Sequence, residues 1–279
     1  PSRQTMHKTL KIFREQCLGD DPVYIQCVNQ QSAGDIDNGN GNILDNTNTN
    51  TNNVFRSNGG RINYEDPFHS VSLPYFAIHG NHDDPSREGS SGDALAALDV
   101  LAISNYINYF GKSDRADDVE ITPILLNKNG TKLALYGLGA IRDERLNRMW
   151  RQKKVKFVRP RENDDDDVDN KWFNILILHQ NRDYGRGVYN HCCCCCCCCC
   201  RCCCCRKHPT SHLTSSFHSH SLTLTLTLTL TGTKNCIHES MIPDWINVVI
   251  WGNEHECKPE LAATSVGTFR IYQPGSSIA

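Results

Sequence analysis

The sequence predicts an α/β protein, and three observations carry that expectation. Short apolar runs of strand length recur at residues 73–78, 172–178 and 244–252. Each is followed at once by a polar cluster holding a histidine, at residues 79–84, 179–182 and 253–256. Among these runs lie segments with apolar residues at helical spacing, residues 5–17 and 92–104, so strand and helix periods alternate along the chain. In open α/β sheets ligands gather outside the carboxyl ends of the strands.

Taken in order, Leu10, Ile12, Phe13 and Cys17 give residues 5–17 an amphipathic helical stripe. Gly19 and Pro22 stop it, and residues 23–28 read as a strand. After the turn at residues 79–85 a helix is expected over 92–104, then a turn or strand edge at 105–111. Residues 119–127 and 131–138 read as two strands joined in a hairpin at Lys128, Asn129 and Gly130. Asp143 and Glu144 open a short helix to Trp150, with acidic groups where the helix dipole favours them. Residues 172–178 read as a central strand, 235–243 as a helix start, 244–252 as another buried strand and 268–272 as a last one.

Composition bounds what the chain can do. At 279 residues it is long enough to bury a sizeable core. The net charge of −2 provides no global field toward nucleic acid, so such a contact needs a local patch. One exists. Nine Lys or Arg residues lie between Arg142 and Arg161, with Trp150 and Phe157 interleaved, and Arg142, Arg145, Arg148, Lys153 and Lys154 are the candidate phosphate contacts. An ordinary solvated face is the competing reading, and the acidic run at 162–169 partly cancels the field. No run is apolar enough to span a bilayer. Of 17 cysteines, thirteen sit in one tract at 192–205; the other four show neither ligand spacing nor a disulfide framework, which fits a reducing compartment.

Three stretches do not read as folded: the Asn-rich residues 30–61, the acidic residues 162–170, and residues 188–234 with the cysteine tract and alternating Leu-Thr. The last is read as translated repeat sequence rather than a metal sponge, for it has no spaced C-x-x-C units. The expected organisation is a core over residues 1–187, interrupted by the first two, an unfolded insertion at 188–234, and the core continued over 235–279. The opening at Pro1, inside a helical pattern and without an initiator Met, predicts a piece of a longer chain.

The polar clusters carry the chemistry. An amide oxygen, imidazoles and carboxylates at strand ends suit a hard or borderline divalent cation and a phosphate. G-N-H-D at residues 80–83 resembles the third signature of the calcineurin-like metallophosphoesterases. H-G-N-H-D-D-P at 79–85, L-G-A-I-R-D-E-R-L at 138–146, W-G-x-E-H-E-C at 251–257 and Q-P-G-S-S at 273–277 are similar to one branch of them, the Mre-eleven nucleases of DNA double-strand-break repair. The resemblance implies an incomplete metallophosphoesterase β-sandwich flanked by helices. It implies a pair of manganese ions, about 3.5–4 Å apart in such sites, with Asn81, His179 and His255 as ligands. His82 would protonate or stabilise the departing 3′ oxygen, and Asp83 and Asp84 would orient His82 and the turn. It also implies DNA as substrate, a nuclear setting, a homodimer, and Rad-fifty-type ATPase and Nbs-one-type adaptor partners.

Two departures follow from the same resemblance. The family's D-x-H and G-D strand ends do not occur upstream of Asn81, so the chain by itself is expected to be inactive. The family's G-H-E-H reads Gly252, Asn253, Glu254, His255. A neutral amide there replaces an imidazole ligand with a weaker donor. Two other functions stay open: a non-catalytic scaffold subunit of the repair complex, and a generic metallophosphoesterase.

Overall fold

The computed structural model describes residues 2–28, 61–85, 95–113, 118–160, 171–183, 235–264 and 266–276. The chain divides into two compact units, Pro1–Tyr184 with Lys234–Ala279, and Gly185–Thr233. All described residues lie in the first. The expected insertions at 30–60, 162–170 and 188–234 lie outside the described residues.

The centre is a seven-stranded mixed sheet. Its parallel middle is β6 (Thr131–Leu138), β8 (Phe173–His179), β11 (Val248–Gly252) and β13 (Arg270–Gln273). Antiparallel strands flank it: β5 (Ile124–Lys128) and β1 (Gln26–Cys27) on one side, β12 (Lys258–Ala263) on the other. Three two-stranded sheets complete the strands. β2 (Phe76–Ala77) pairs with β3 (Asn108–Tyr109), β4 (Val119–Ile121) with β7 (Val155–Phe157), and β9 (Arg182–Asp183) with β10 (Ile237–His238), all parallel. With helices α1 (Arg3–Gln16), α2 (Ala97–Ile103) and α3 (Asp143–Arg151), the class is α/β as the sequence predicts.

The parallel strands are apolar on both faces because both are covered. Ala134, Tyr136, Leu138, Leu176, Leu178, Val249, Trp251 and Ile271 point one way, into a core closed by Leu146 and Met149 of α3, Val119 and Ile121 of β4, and Ile237 of β10. Leu133, Leu135, Ile175 and Ile177 point the other way, against Ile62, Phe76, Ile78 and Phe110. Alternation along each strand thus builds two cores from one sheet. A third cluster packs Met6, Leu10 and Phe13 of α1 against Leu101, Ala102, Ile107 and Tyr109, and α1 begins where the Ser2 hydroxyl accepts the Thr5 N–H at 3.1 Å.

The β5–β6 hairpin is the predicted one. Lys128 pairs with Thr131, and the two residues between them, Asn129 (φ 51°) and Gly130 (φ 87°), both hold positive φ, as a turn matched to strand twist requires.

Three expectations need correction, and one strand was not expected. Residues 119–127 are two strands, not one: after Pro123, which cannot donate to a ladder, β5 joins the large sheet while β4 pairs with β7. Residues 235–243 do not start an α-helix. They form β10 and a 3₁₀ turn at Glu239–Met241, because Ile237 is fully buried and its N–H donates to Asn181 O at 2.8 Å. Helix α2 starts at Ala97 rather than Gly92; residues 92–94 lie outside the described set, and the Asp99 carboxylate accepts the Ala96 N–H at 2.6 Å, fixing the start. Finally β12, with its exposed side chains and a break in register between Lys258 and Ala262, has no counterpart in the sequence reading.

Candidate active site

The parallel strands all end at one edge of the sheet, and the polar clusters follow there. Register places Leu138 beside Leu178 and His179 beside Gly252. The turn after β2 reaches the same edge: Ala140 N–H donates to His79 O at 3.0 Å, and Gly139 N–H to Gly111 O at 2.9 Å. Gly139 permits this approach. A Cβ there would stand 2.0 Å from His79 Cε1. His79 is buried, its Nδ1 2.9 Å from the Tyr109 hydroxyl, and burial lowers its pKa.

Gly80 then turns the chain, with its N–H donating to Asp83 Oδ1 at 2.7 Å. A Cβ on Gly80 would meet His179 Cε1 at 3.0 Å and Nε2 at 3.1 Å, so the bare backbone makes room for that ring. Asn81 Oδ1 lies 3.3 Å from His179 Nε2. Burial pushes the His179 pKa down; Asp83 pulls it up, His79 and His82 lower it further, and a hydrogen bond with the Asn253 side chain raises it. A His179 held neutral offers a ring nitrogen lone pair, the form that binds a metal.

Asn253 has a second task. Its Nδ2 donates to Asn181 Oδ1 at 2.6 Å, and it holds a positive φ of 75°, a conformation Asn tolerates better than most residues. Asn181 in turn donates from its backbone N and from Nδ2 to the two Asp143 oxygens, at 3.1 and 2.7 Å. Burial pushes the Asp143 carboxyl up to about 6; the Asn181 hydrogen bonds oppose that, and Glu254 adds to it. Arg182 braces the same edge: its N–H donates to Glu254 Oε1 at 2.8 Å, and its guanidinium pairs with Glu239 at 2.7 Å and stacks over Trp251.

The structure therefore joins Asn81, His179 and Asn253 directly, and Asp83 acts on His179 through its charge. His82 is exposed at the head of the turn, and its charge is felt by His179. Asp84 is half-buried and acts on His79. His255 is exposed beyond the end of β11, where its carbonyl accepts the Ser276 N–H at 3.0 Å. Of the basic residues, Arg142 precedes α3, Arg148 projects from it, Lys153 and Lys154 follow it, and all four are exposed; Arg145 is half-buried. Sequence reasoning assigned no role to Asp143, Asn181 or Tyr109. Asp143 lies in the 138–146 motif and Asn181 in the 179–182 cluster, but neither motif names their pairing, and the fold brings each to a partner distant in sequence.

The donor set fits a divalent cation. An imidazole nitrogen and an amide oxygen 3.3 Å apart match the separation of about 3 Å between neighbouring ligands at metal–ligand distances of about 2.0–2.2 Å. In His179 the nitrogen facing Asn81 is Nε2, and the Asn253 side chain also hydrogen-bonds the ring.

A mixed sheet whose parallel strands deliver imidazole and amide groups to one edge makes this an α/β protein, an arrangement consistent with a partial metallophosphoesterase fold. No family model matches the chain. Curated proteins do: it is 36% identical over 278 residues to double-strand break repair protein MRE11 of Mus musculus and of Homo sapiens, and 36% identical over 284 residues to that of Arabidopsis thaliana. The matches cover all of this chain but only 29–30% of the length of those relatives. Over the length it shares with them, the chain is similar to these MRE11 proteins.

Proposed function

We propose that this chain supplies part of a two-cation centre that hydrolyses phosphodiester bonds of DNA in double-strand break repair. The observation that carries the reading is the meeting of Asn81 Oδ1 and His179 Nε2 at the carboxyl edge of the sheet. Asn81, His179 and His255 would hold manganese, which suits a mixed amide and imidazole shell better than a thiolate one. When bound, the ions would supply Lewis acidity toward the phosphate and its attacking water.

The chain's own groups do the rest. Asp83, bonded to the Gly80 N–H, fixes the turn that presents His82. Exposed His82 would give a proton to the departing 3′ oxygen. Asn253 keeps the His179 ring in one orientation through Asn181 and Asp143. Arg142, Arg145, Arg148, Lys153 and Lys154 would contact DNA phosphates. The finer activities, 3′-to-5′ exonuclease and single-strand endonuclease, belong to this reading, as do a nuclear setting and Rad-fifty-type and Nbs-one-type partners. A homodimer belongs to it too, supported by Ile12 and Ile103, 59% and 83% exposed on α1 and α2. Among the described residues no helix is long and apolar enough to cross a membrane.

Asn253 also favours a second reading, a scaffold that binds DNA without cutting it, since its amide is engaged by Asn181. Manganese binding followed by electron paramagnetic resonance, with nucleotide release from a duplex 3′ end, separates the two. The nuclease reading expects manganese binding, reduced at least tenfold in His179→Ala and raised in Asn253→His, with chelator-sensitive release only once D-x-H and G-D strand ends are supplied to complete the centre. Manganese binding undiminished in His179→Ala sinks the metal centre. DNA binding with no release from the completed centre, even in Asn253→His, leaves the scaffold.

A further inference from the structure

Away from the Asn81–His179 pair, one cluster among the described residues unites three different metal-ligating side chains. Asp183, Cys236 and His238 bring a carboxylate oxygen, a thiol sulfur and an imidazole nitrogen within 4.8 Å of one another. Asp183 and His238 are register partners at the ends of β9 and β10, and His238 Nδ1 stands 3.0 Å from Asp183 Oδ2. Cys236 and His238 flank Ile237, which is fully buried in the core, so strand alternation turns both toward Asp183. Cys236 is a buried thiol, not part of a disulfide. Its backbone is held on both sides: Asn147 Nδ2 donates to Cys236 O at 2.8 Å, and Ile237 N–H to Asn181 O at 2.8 Å.

We propose that Asp183, Cys236 and His238 form a second cation site, one for zinc, with its fourth position open to water. The donor set decides the metal. A thiolate with an imidazole and one carboxylate suits a borderline ion in a tetrahedral site, whereas the Asn81–His179 pair offers no sulfur. The distances decide feasibility. Ligand atoms at about 2.0–2.3 Å from a tetrahedral zinc stand about 3.3–3.6 Å from one another, so the trio must close by on the order of an ångström at most, within reach of rotamer adjustment on a fixed backbone. On binding, the Cys236 thiol releases its proton to solvent and the sulfur lone pair forms the bond to zinc; no electron is transferred. The placement gives the site its use. The chain leaves the first compact unit at Tyr184, just after Asp183, and re-enters it at Lys234, just before Cys236, so a cation between Asp183 and Cys236 clips the two ends of a long connection, where such clips gain most.

The test uses the full-length chain with the tract cysteines at 192–200 and 202–205 changed to serine, so that they do not compete, under reducing conditions. Zinc is titrated calorimetrically, and cobalt by absorbance, where a thiolate-to-cobalt band in the near ultraviolet reports sulfur ligation. One equivalent of zinc and a cobalt band are expected, the band vanishing in Cys236→Ser and persisting in Cys257→Ser, whose thiol is exposed and remote in sequence from the trio. His238→Gln, which keeps the shape of the side chain, and Asp183→Asn guard against unfolding; with native circular dichroism each should weaken zinc binding about tenfold or more. A band that survives in both Cys236→Ser and His238→Gln, or zinc binding unchanged in His238→Gln and Asp183→Asn, overturns the proposal, as does the absence of zinc binding to the unsubstituted trio.

Discussion

Asp143 shows how much a single carboxyl contributes once the fold brings it to a distant partner. Both its oxygens accept from Asn181, and Asn181 reaches His179 only through Asn253. Burial raises the Asp143 pKa from its ordinary 3.8 to about 6, so the folded state holds its proton more tightly than the unfolded chain does. The sign follows from linkage. The contribution is full below about pH 4 and is lost as pH rises through about 6. Asp143→Asn should remove that slope, so the stability gap between the two proteins, read by urea denaturation, changes between about pH 4 and 6 and is flat above it. The substitution also leaves one Asn181 donor short of a partner, costing about 1 kcal/mol. A pH-independent gap would show that the carboxyl is not desolvated. At this scale the sequence was legible where polar residues follow an apolar run: Asn81, Asp83 and His179 are brought together as their motifs suggest. Asp143 and Asn181 were not, because each looks like an ordinary cap or loop residue until its partner, distant in sequence, is in place.

Among the elements, the β5–β6 hairpin isolates a backbone effect from packing. Gly130 has a φ of 87°, and a Cβ there would meet nothing within 4 Å. Gly130→Ala should therefore destabilise the protein by about 1–2 kcal/mol purely through the left-handed conformation, measured by thermal or urea unfolding, with the far-ultraviolet spectrum unchanged. A neutral result would mean the turn relaxes to another type. This hairpin was readable because its signal is local, an Asn-Gly pair between apolar runs. The β9–β10 pair was not. Its strands are two residues each and lie on either side of the long segment 184–234, so nothing near Ile237 in sequence announces its partner, and the 235–243 segment imitates a helix start. The long apolar stretch at 119–127 misled in the opposite way, since hydrophobicity continues through Pro123 while the ladder does not. Strand β12 was invisible because five of its six residues are exposed and no alternation marks them.

For the molecule as a whole, charge and edges set the terms on which it meets others. With a net charge of −2, the attraction to DNA proposed above would need a local patch of cations, for which those exposed around α3 are the candidates. Replacing Arg148, Lys153 and Lys154 by alanine should weaken binding uniformly across sequences and reduce the slope of log affinity against log salt by roughly one for each phosphate that is no longer neutralised. Fluorescence anisotropy across a salt series reads both; an unaltered slope would return α3 to the status of a solvated face. The two sides of the large sheet are sealed by separate apolar clusters, and its margins are short or irregular. One margin is only the two residues of β1. The other is β12, where Pro259 has no N–H to offer, Lys258 and Glu260 bring charge, and the register slips before Ala262. A strand from a neighbouring molecule finds no regular row of donors and acceptors to copy. Concentrated protein is thus steered away from ribbon-like growth, and the sheet ends with the chain that made it.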